Sequence, residues 1–388
     1  MSGRPEEMNA ITISGAGPAG LAAAITIARH GRRAVVHEQR AEVGGRFHGD
    51  FQGLENWTTQ GDVLEQFAGI GIAPTFDCMP VREMVFYDPK AREYVFRSSH
   101  PALYLVRRGT DQGTLDHNLK QQALAAGVEI RLASRLETLP QQGIVAHGPR
   151  SGNVIAVGYL FETDAPDGIF ACASDRLAPK GYAYMLIHGG RGTLATCMFA
   201  DFVNQKMYLE RTAEFFQNRT GVEMKNPRRF GGAGGIFWPR SASRDGRLYA
   251  GEAAGFQDAM FGFGIRYAVL SGHLAGLALT HDAMRDYERL WRRELGPMMK
   301  TSLVNRYFYA RLGERGYVGL LRNISRAGDV RDWLRNYYAP SWLKTLWFQI
   351  AKSFLSPYPC MFNSPLGFKH RCPPACGRGS KRQAQKNG

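Results

Sequence analysis

Residues 11 to 45 read ITISGAGPAGLAAAITIARHGRRAVVHEQRAEVGG, and the order of parts in this stretch decides the fold. An apolar strand runs into a turn at Gly15, Gly17 and Gly20, then a helix opened by Pro18 and Ala19, a second strand ending in Glu38, and the pair Gly44, Gly45. In a βαβ unit the first glycine permits the tight turn, the second lets the backbone approach a pyrophosphate and the third lets the helix pack on the strand. The helix N-terminal amides then point at the phosphates. Glu38 is placed to accept from ribose hydroxyls. A bare GxGxxG arises by chance in glycine-rich chains, but here strand, helix and terminal acid stand in register, which points to a dinucleotide site.

The residues after the second strand narrow the choice of nucleotide. Glu38, Gln39, Arg40 and the run Gly44, Gly45, Arg46 resemble the glycine-doublet extension of FAD-binding oxidoreductases, where a second backbone turn comes close to the cofactor. Far along the chain, residues 247 to 279 read RLYAGEAAGFQDAMFGFGIRYAVLSGHLAGLAL. Leu248, Tyr249 and Ala250 make a short buried strand, and the turn from Gly251 to Gly255 lacks the side chains that would keep a ligand off the backbone. Phe261 to Gly264 lead into a helix whose inner face is Ala268, Ser271, Gly272, Ala275, Gly276 and Leu279, small enough for close packing. Its N-terminus near Gly264 and Ile265 carries partial positive charge.

This stretch resembles the second flavin motif of the geranylgeranyl reductase family of FAD-dependent oxidoreductases and its hydroxylase relatives: a strand, GDAAG, a short loop, GxGI, then a long small-residue helix. The resemblance spans roughly residues 10 to 280. It implies that Gly251, Glu252, Gly262, Gly264 and Ile265 contact FAD, with the helix end facing the N1 and O2 edge of the isoalloxazine. Three departures stand out. Glu252 replaces the family's Asp, one methylene longer. The hydroxylase Asp-Gly pair has its nearest counterpart in Ala146, His147 and Gly148. Arg107 and Arg108 resemble the arginine that precedes a helix in this superfamily, at longer spacing, and Arg107 is the candidate contact.

The expected architecture is α/β: a Rossmann-like FAD-binding domain with an inserted antiparallel sheet as substrate domain and a helical C-terminal region. The FAD-binding domain is expected at residues 8–75, 106–150 and 236–284, substrate-domain strands at 76–105, the sheet domain at 151–235, a basic helical region at 285–370 and a disordered tail at 371–388. NVIAVGYLFET and GTLATCMFAD alternate as half-buried strands do. PKGYAYMLIH, residues 179 to 188, is similar to the family's PxGYxWxFP strand, with Tyr184 where the tryptophan would lie. Alternation puts Tyr182 and Tyr184 on one face, which the resemblance implies looks into a lipid cavity, with Phe261 and Phe263 at the flavin's edge.

Of 388 residues, six are cysteines: Cys78, Cys172, Cys197, Cys360, Cys372 and Cys376, too scattered for a disulfide framework. His370, Cys372 and Cys376 lack a paired CxxC spacing, so no metal site is expected. No apolar run is long enough to cross a bilayer, and the default compartment is the cytoplasm. The formal net charge is +15; residues 281 to 388 hold 20 Lys and Arg against 7 Asp and Glu, and no acid follows Asp332. In SWLKTLWFQIAKSFLS, residues 341 to 356, Trp342, Leu343, Leu346, Trp347, Ile350 and Phe354 fall on one helical stripe. Such a stripe suits an anionic membrane surface on the cytoplasmic face, and suits docking on the protein's own core equally. No nucleic-acid motif is present, so nucleic acid is not an expected partner.

The resemblance implies saturation of carbon–carbon double bonds in an isoprenoid or other hydrophobic lipid by hydride transfer from the flavin N5, with NAD(P)H or another reductant visiting transiently. His48 and Tyr182 are the candidate catalytic side chains. Two other readings stay open: a flavin monooxygenase or halogenase on a hydrophobic compound, although the halogenase WxWxIP signature is missing, and a membrane-associated flavin electron carrier.

Overall fold

The structure, a computed structural model, describes residues 10–59, 61–149 and 152–354. Its helices in chain order are α1 (Pro18–Arg29), α2 (Val63–Gly69), α3 (Leu115–Ala125), α4 (Gln205–Thr220), α5 (Ile265–Thr280), α6 (Tyr287–Glu294), α7 (Gly296–Ser325), α8 (Val330–Tyr338) and α9 (Trp342–Phe354).

The strand Ile11–Ser14 buries Ile11 and Ile13 and pairs in parallel with Ala34–His37 on one side and Ile144–Val145 on the other. The full six-stranded order is Ser243–Arg244, Arg247–Tyr249, Ile144–Val145, Ile11–Ser14, Ala34–His37, Glu129–Arg131. Helix α1 is buried from Ala19 to Ile27 because α5 lies along it. A Cβ on Gly272 would stand 2.0 Å from the Ala19 carbonyl oxygen, and one on Gly276 2.8 Å from that of Ala23. The small face of α5 therefore lets two helices far apart in sequence meet backbone to backbone.

A seven-stranded sheet, in the order Lys225–Gly234, Val154–Glu162, Arg191–Met198, Tyr182–His188, Gly168–Cys172, Glu83–Tyr87, Glu93–Arg97, forms the second layer. One pair departs from the expected antiparallel pattern: Gly168–Cys172 runs parallel to Glu83–Tyr87. The connection between these strands runs through α3 and the strands Glu129–Arg131 and Ile144–Val145 of the first sheet, and so long a connection does not impose the reversal that a hairpin would. The expected strand block 76–105 divides. Glu83–Tyr87 and Glu93–Arg97 join the large sheet, while Cys78–Val81 and Leu103–Arg107 join Phe51–Glu55 in a three-stranded sheet.

Along Tyr182–His188, Ala183, Met185 and Ile187 are buried in the cluster that includes Tyr208, Leu209 and Phe216 of α4. Tyr182, Tyr184 and Leu186 take the opposite face, as the pleat requires. The C-terminal helices close the other side. Helix α7 is broken at Gly313, whose φ of 55° with ψ of −147° is a state favouring glycine. Asp329 caps α8 by accepting from the Asp332 amide, and also accepts from Ser98 and both the amide and hydroxyl of Ser99.

Helix α9 docks through Phe348 and Ala351, which join Ile236, Ala259, Leu303 and Val304. The apolar stripe expected from periodicity is not the docked face: Trp342, Leu343, Leu346 and Ile350 are exposed. No described helix is long and apolar enough to cross a membrane. Cys78, Cys172 and Cys197 are free thiols. His370, Cys360, Cys372 and Cys376, and with them the tail expected at 371–388, lie outside the described residues. Among the described residues no group of His, Cys, Asp and Glu is placed to hold a metal.

Candidate active site

A cavity of about 1410 Å³, lined by residues of all three sheets, touches both glycine motifs. At its polar end the three glycines of the first motif act differently. Gly15, at φ +104°, has no room for a Cβ, which would stand 2.5 Å from the Ala146 carbonyl oxygen. Gly20 lies beneath the turn, where a Cβ would be 1.9 Å from the Gly15 oxygen. A Cβ on Gly17 would meet nothing within 4 Å, and Gly17 lines the cavity. Pro18, Ala19, Gln39, Arg40, Gly44 and Gly45 line the same end.

Glu38 ends its strand with the carboxylate across the turn, accepting from the Ala16 amide at 2.9 Å and the Arg40 amide at 2.9 Å. The extra methylene of Glu252 also finds a use. Its carboxylate stands 3.6 Å from Arg46, which donates as well to the Ala233 carbonyl at 3.1 Å. The glycine doublet, the second motif and the sheet domain thus meet at one guanidinium. Gly251, Gly262, Gly264 and Ile265 complete this wall. Gly264 caps α5 without a side chain, so the helix's partial positive charge is presented to the cavity.

Of the arginine pair, Arg107 stands outside the cavity, paired with Asp77 at 3.3 Å and Asp111 at 3.4 Å. Arg108 lines it, held by both oxygens of buried Asp116 at 2.7 and 2.8 Å, by Gln52 at 2.8 Å, and over the Phe47 ring at 4.0 Å. Burial works against the Arg108 charge, but Asp116 together with Asp50 and Glu252 offsets it and the guanidinium pKa rises. Neighbouring residues in a strand face opposite ways, and nothing in the local pattern distinguishes the arginine that faces inward.

The far end of the cavity is apolar. Tyr182, Tyr184 and Leu186 face Phe261 and Phe263 across it. Tyr182 donates its hydroxyl to the Phe261 carbonyl, and its ring meets that of Phe261 edge-on at 6.0 Å. Burial pushes both tyrosine phenols well above their ordinary range, so neither ionises near neutrality. His48 sits exposed at the cavity lip, its amide donating to Asp50 at 3.1 Å.

Two residues of this end are absent from the sequence-based expectation. Trp57 packs edge-on against Phe263 at 5.0 Å and fixes that ring. Asp258, buried inside the FQDAMFGFG loop, accepts from the Phe261 amide at 2.6 Å and the Tyr338 hydroxyl at 2.9 Å. Desolvation pushes its carboxyl up to about 6. A signal for it exists in the chain: Asp258 is the sole charged residue between Glu252 and Arg266, and a charge in an apolar glycine loop requires partners.

Residues 13–53 match the NAD(P)-binding Rossmann-like domain family. No curated protein matches the chain in sequence. Among solved structures, a geranylgeranyl bacteriochlorophyll reductase-like protein from Thermoplasma acidophilum is similar at 18% identity and a TM-score of 0.66, over 90% of this chain and 96% of that one. A flavin-dependent brominase matches at 16% identity and 0.62, over 89% and 98%. A myxobacterial chondrochloren halogenase, a variant of FAD-dependent halogenases, matches at 16% and 0.60, over 89% and 96%. The chain therefore shares its fold with a reductase-like protein and with flavin-dependent halogenases.

Proposed function

We propose that this protein is a FAD-dependent oxidoreductase that reduces carbon–carbon double bonds of an isoprenoid or other hydrophobic lipid. The observation that carries the reading is the continuity of one cavity from the Gly17 turn to the aromatic compartment under Tyr182 and Tyr184. Its volume of about 1410 Å³ exceeds the ~300–1,000 Å³ of an ordinary small-molecule pocket, which supports room for a dinucleotide and a substrate together. A bare electron carrier has no use for the second compartment.

The residues fit FAD. Gly17 leaves a phosphate clearance, Glu38 offers an acceptor for ribose hydroxyls, and the uncapped turn of α5 offers positive potential beside Gly264. When bound, FAD supplies hydride chemistry, with NAD(P)H or another donor as the reductant. The protein's own part is positioning and exclusion of water. Phe261, Phe263 and Tyr184 favour an apolar chain, and the Arg108–Asp116 pair holds the Gly109 turn against the glycine doublet through the Asp116 contact with the Gly109 amide at 3.1 Å. Tyr182 holds its proton on the Phe261 carbonyl, which makes it a positioning residue for that loop rather than a free acid.

The test is anaerobic incubation of the flavin-loaded protein, reduced with dithionite, with a lipid extract, followed by mass spectrometry. A gain of two hydrogens per double bond is the expected result. A second reading, monooxygenase or halogenase, is favoured by the likeness to the brominase and the chondrochloren halogenase. Strict dependence of turnover on oxygen would establish it in place of the reductase.

A further inference from the structure

Helix α9 is apolar on two opposite sides, and the described residues cover only one of them. Phe348 (5% exposed) and Ala351 (0%) seat it on α7. On the other side Trp342 is 76% exposed, Leu346 64% and Ile350 52%, with Leu343 beside them. Trp347 bridges the two, leaning on Tyr307 and Phe308 of α7. The seated side accounts for one apolar stripe of the helix, and the second has no cover among the described residues. On α7 itself, Leu312 is also 60% exposed.

We infer that this face docks on an anionic lipid bilayer, with α9 lying in the interfacial plane. Charge selects the occupant. Arg311, set over the Tyr307 ring at 5.6 Å, and Arg315 are exposed on α7, and among the described residues neither forms an ion pair. The one acid between them, Glu314, is turned to the Ser174 hydroxyl at 3.3 Å. Lys352 extends from α9 itself, and from Trp333 to the last residue the sequence holds nine Lys and Arg and no Asp or Glu. A second copy of the chain would bring the same cations face to face. A bilayer with anionic headgroups neutralises them, while tryptophans take headgroup depth and leucines the acyl boundary.

The docked side points to a purpose. The small cluster that seats Phe348 and Ala351 also holds Val154 and Phe199, and these two line the cavity. Docking would bring the apolar compartment next to the lipid phase. That this compartment draws its substrate from the bilayer rests on the proposed reductase reading; the docking itself rests on α9.

The measurement is co-flotation of the full-length protein with phosphatidylcholine vesicles and with vesicles containing phosphatidylglycerol, without turnover, so docking and chemistry fail separately. The wild-type chain should float with the anionic vesicles and be released as salt rises. Leu346→Glu with Ile350→Glu should weaken that partition on the order of tenfold or more, with the melting temperature and flavin absorbance kept. Leu124→Glu, at an exposed leucine elsewhere (44%), should leave it unchanged. Absence of flotation by the wild-type chain, equal flotation by the double variant, or a dimer that the double variant dissociates would each overturn the inference.

Discussion

The two ends of the cavity are built on opposite principles. The nucleotide end is made of missing side chains: Gly15 and Gly20 yield to backbone at 2.5 and 1.9 Å, and Gly17 yields to open space. The aromatic end is made of large side chains that hold one another, with Trp57 on Phe263, Phe261 on Tyr182, and Asp258 anchoring their loop. Glycine turns depend on local chain geometry and leave a mark in a short stretch of sequence. Aromatic walls depend on several segments, and the sequence marks which residues share a strand face but not which rings meet. The first end should be intolerant of added atoms, and the second tolerant of altered ones.

Substitutions break this contrast in a definite order. Gly20→Val should give no folded, cofactor-bound protein, because its Cβ would meet backbone that has nowhere to move; expression as yellow, monodisperse protein is the readout. Next comes Arg108→Met, which strands the buried Asp116 carboxylate and should cost about 3–5 kcal/mol of stability, seen in denaturant unfolding.

Asp258 contributes a pH effect. Its folded pKa of about 6 lies above the ordinary 3.8, so the native state holds the proton longer than the unfolded chain. Its contribution is therefore fully present below about pH 4 and is lost as pH rises through about 6, by roughly 3 kcal/mol. Unfolding curves of Asp258→Asn should lack that decline relative to the parent.

Gly17→Ala sharpens the comparison from the other side. The fold has room for this methyl group, so the melting temperature of the apoprotein should hold. FAD affinity should fall by roughly 10–100-fold, since the methyl group occupies the phosphate's approach; fluorescence titration measures it. Smallest is Tyr184→Leu, which keeps the compartment apolar. FAD affinity should not change, and KM for a hydrophobic alkene should rise by a few fold. An equal loss of FAD affinity in the last two variants would erase the distinction between the ends.

Legibility in the sequence divides along the same line. Both glycine motifs, Glu38 and the small face of α5 are readable because each is a contiguous pattern with one physical reading. Tyr182 and Tyr184 are readable as one strand face, since the pleat fixes alternation. The choice between Arg107 and Arg108 is not, because a strand pattern says that neighbours diverge without saying which one turns inward. Trp57 carries no signal of its own, as its role depends on Phe263, some 200 residues away.

Helix α9 marks the limit most clearly. Its apolar stripe is visible from periodicity, yet periodicity cannot say what a stripe meets; packing against α7 took Phe348 and Ala351 and left Trp342, Leu346 and Ile350 outside. By itself the sequence determined the dinucleotide fold, through backbone turns that only glycine permits at φ values and approach distances set by the chain's own covalent geometry. Tertiary structure alone decided which guanidinium, which aromatic ring and which helix face look where, because those depend on contacts between segments whose separation along the chain carries no directional information.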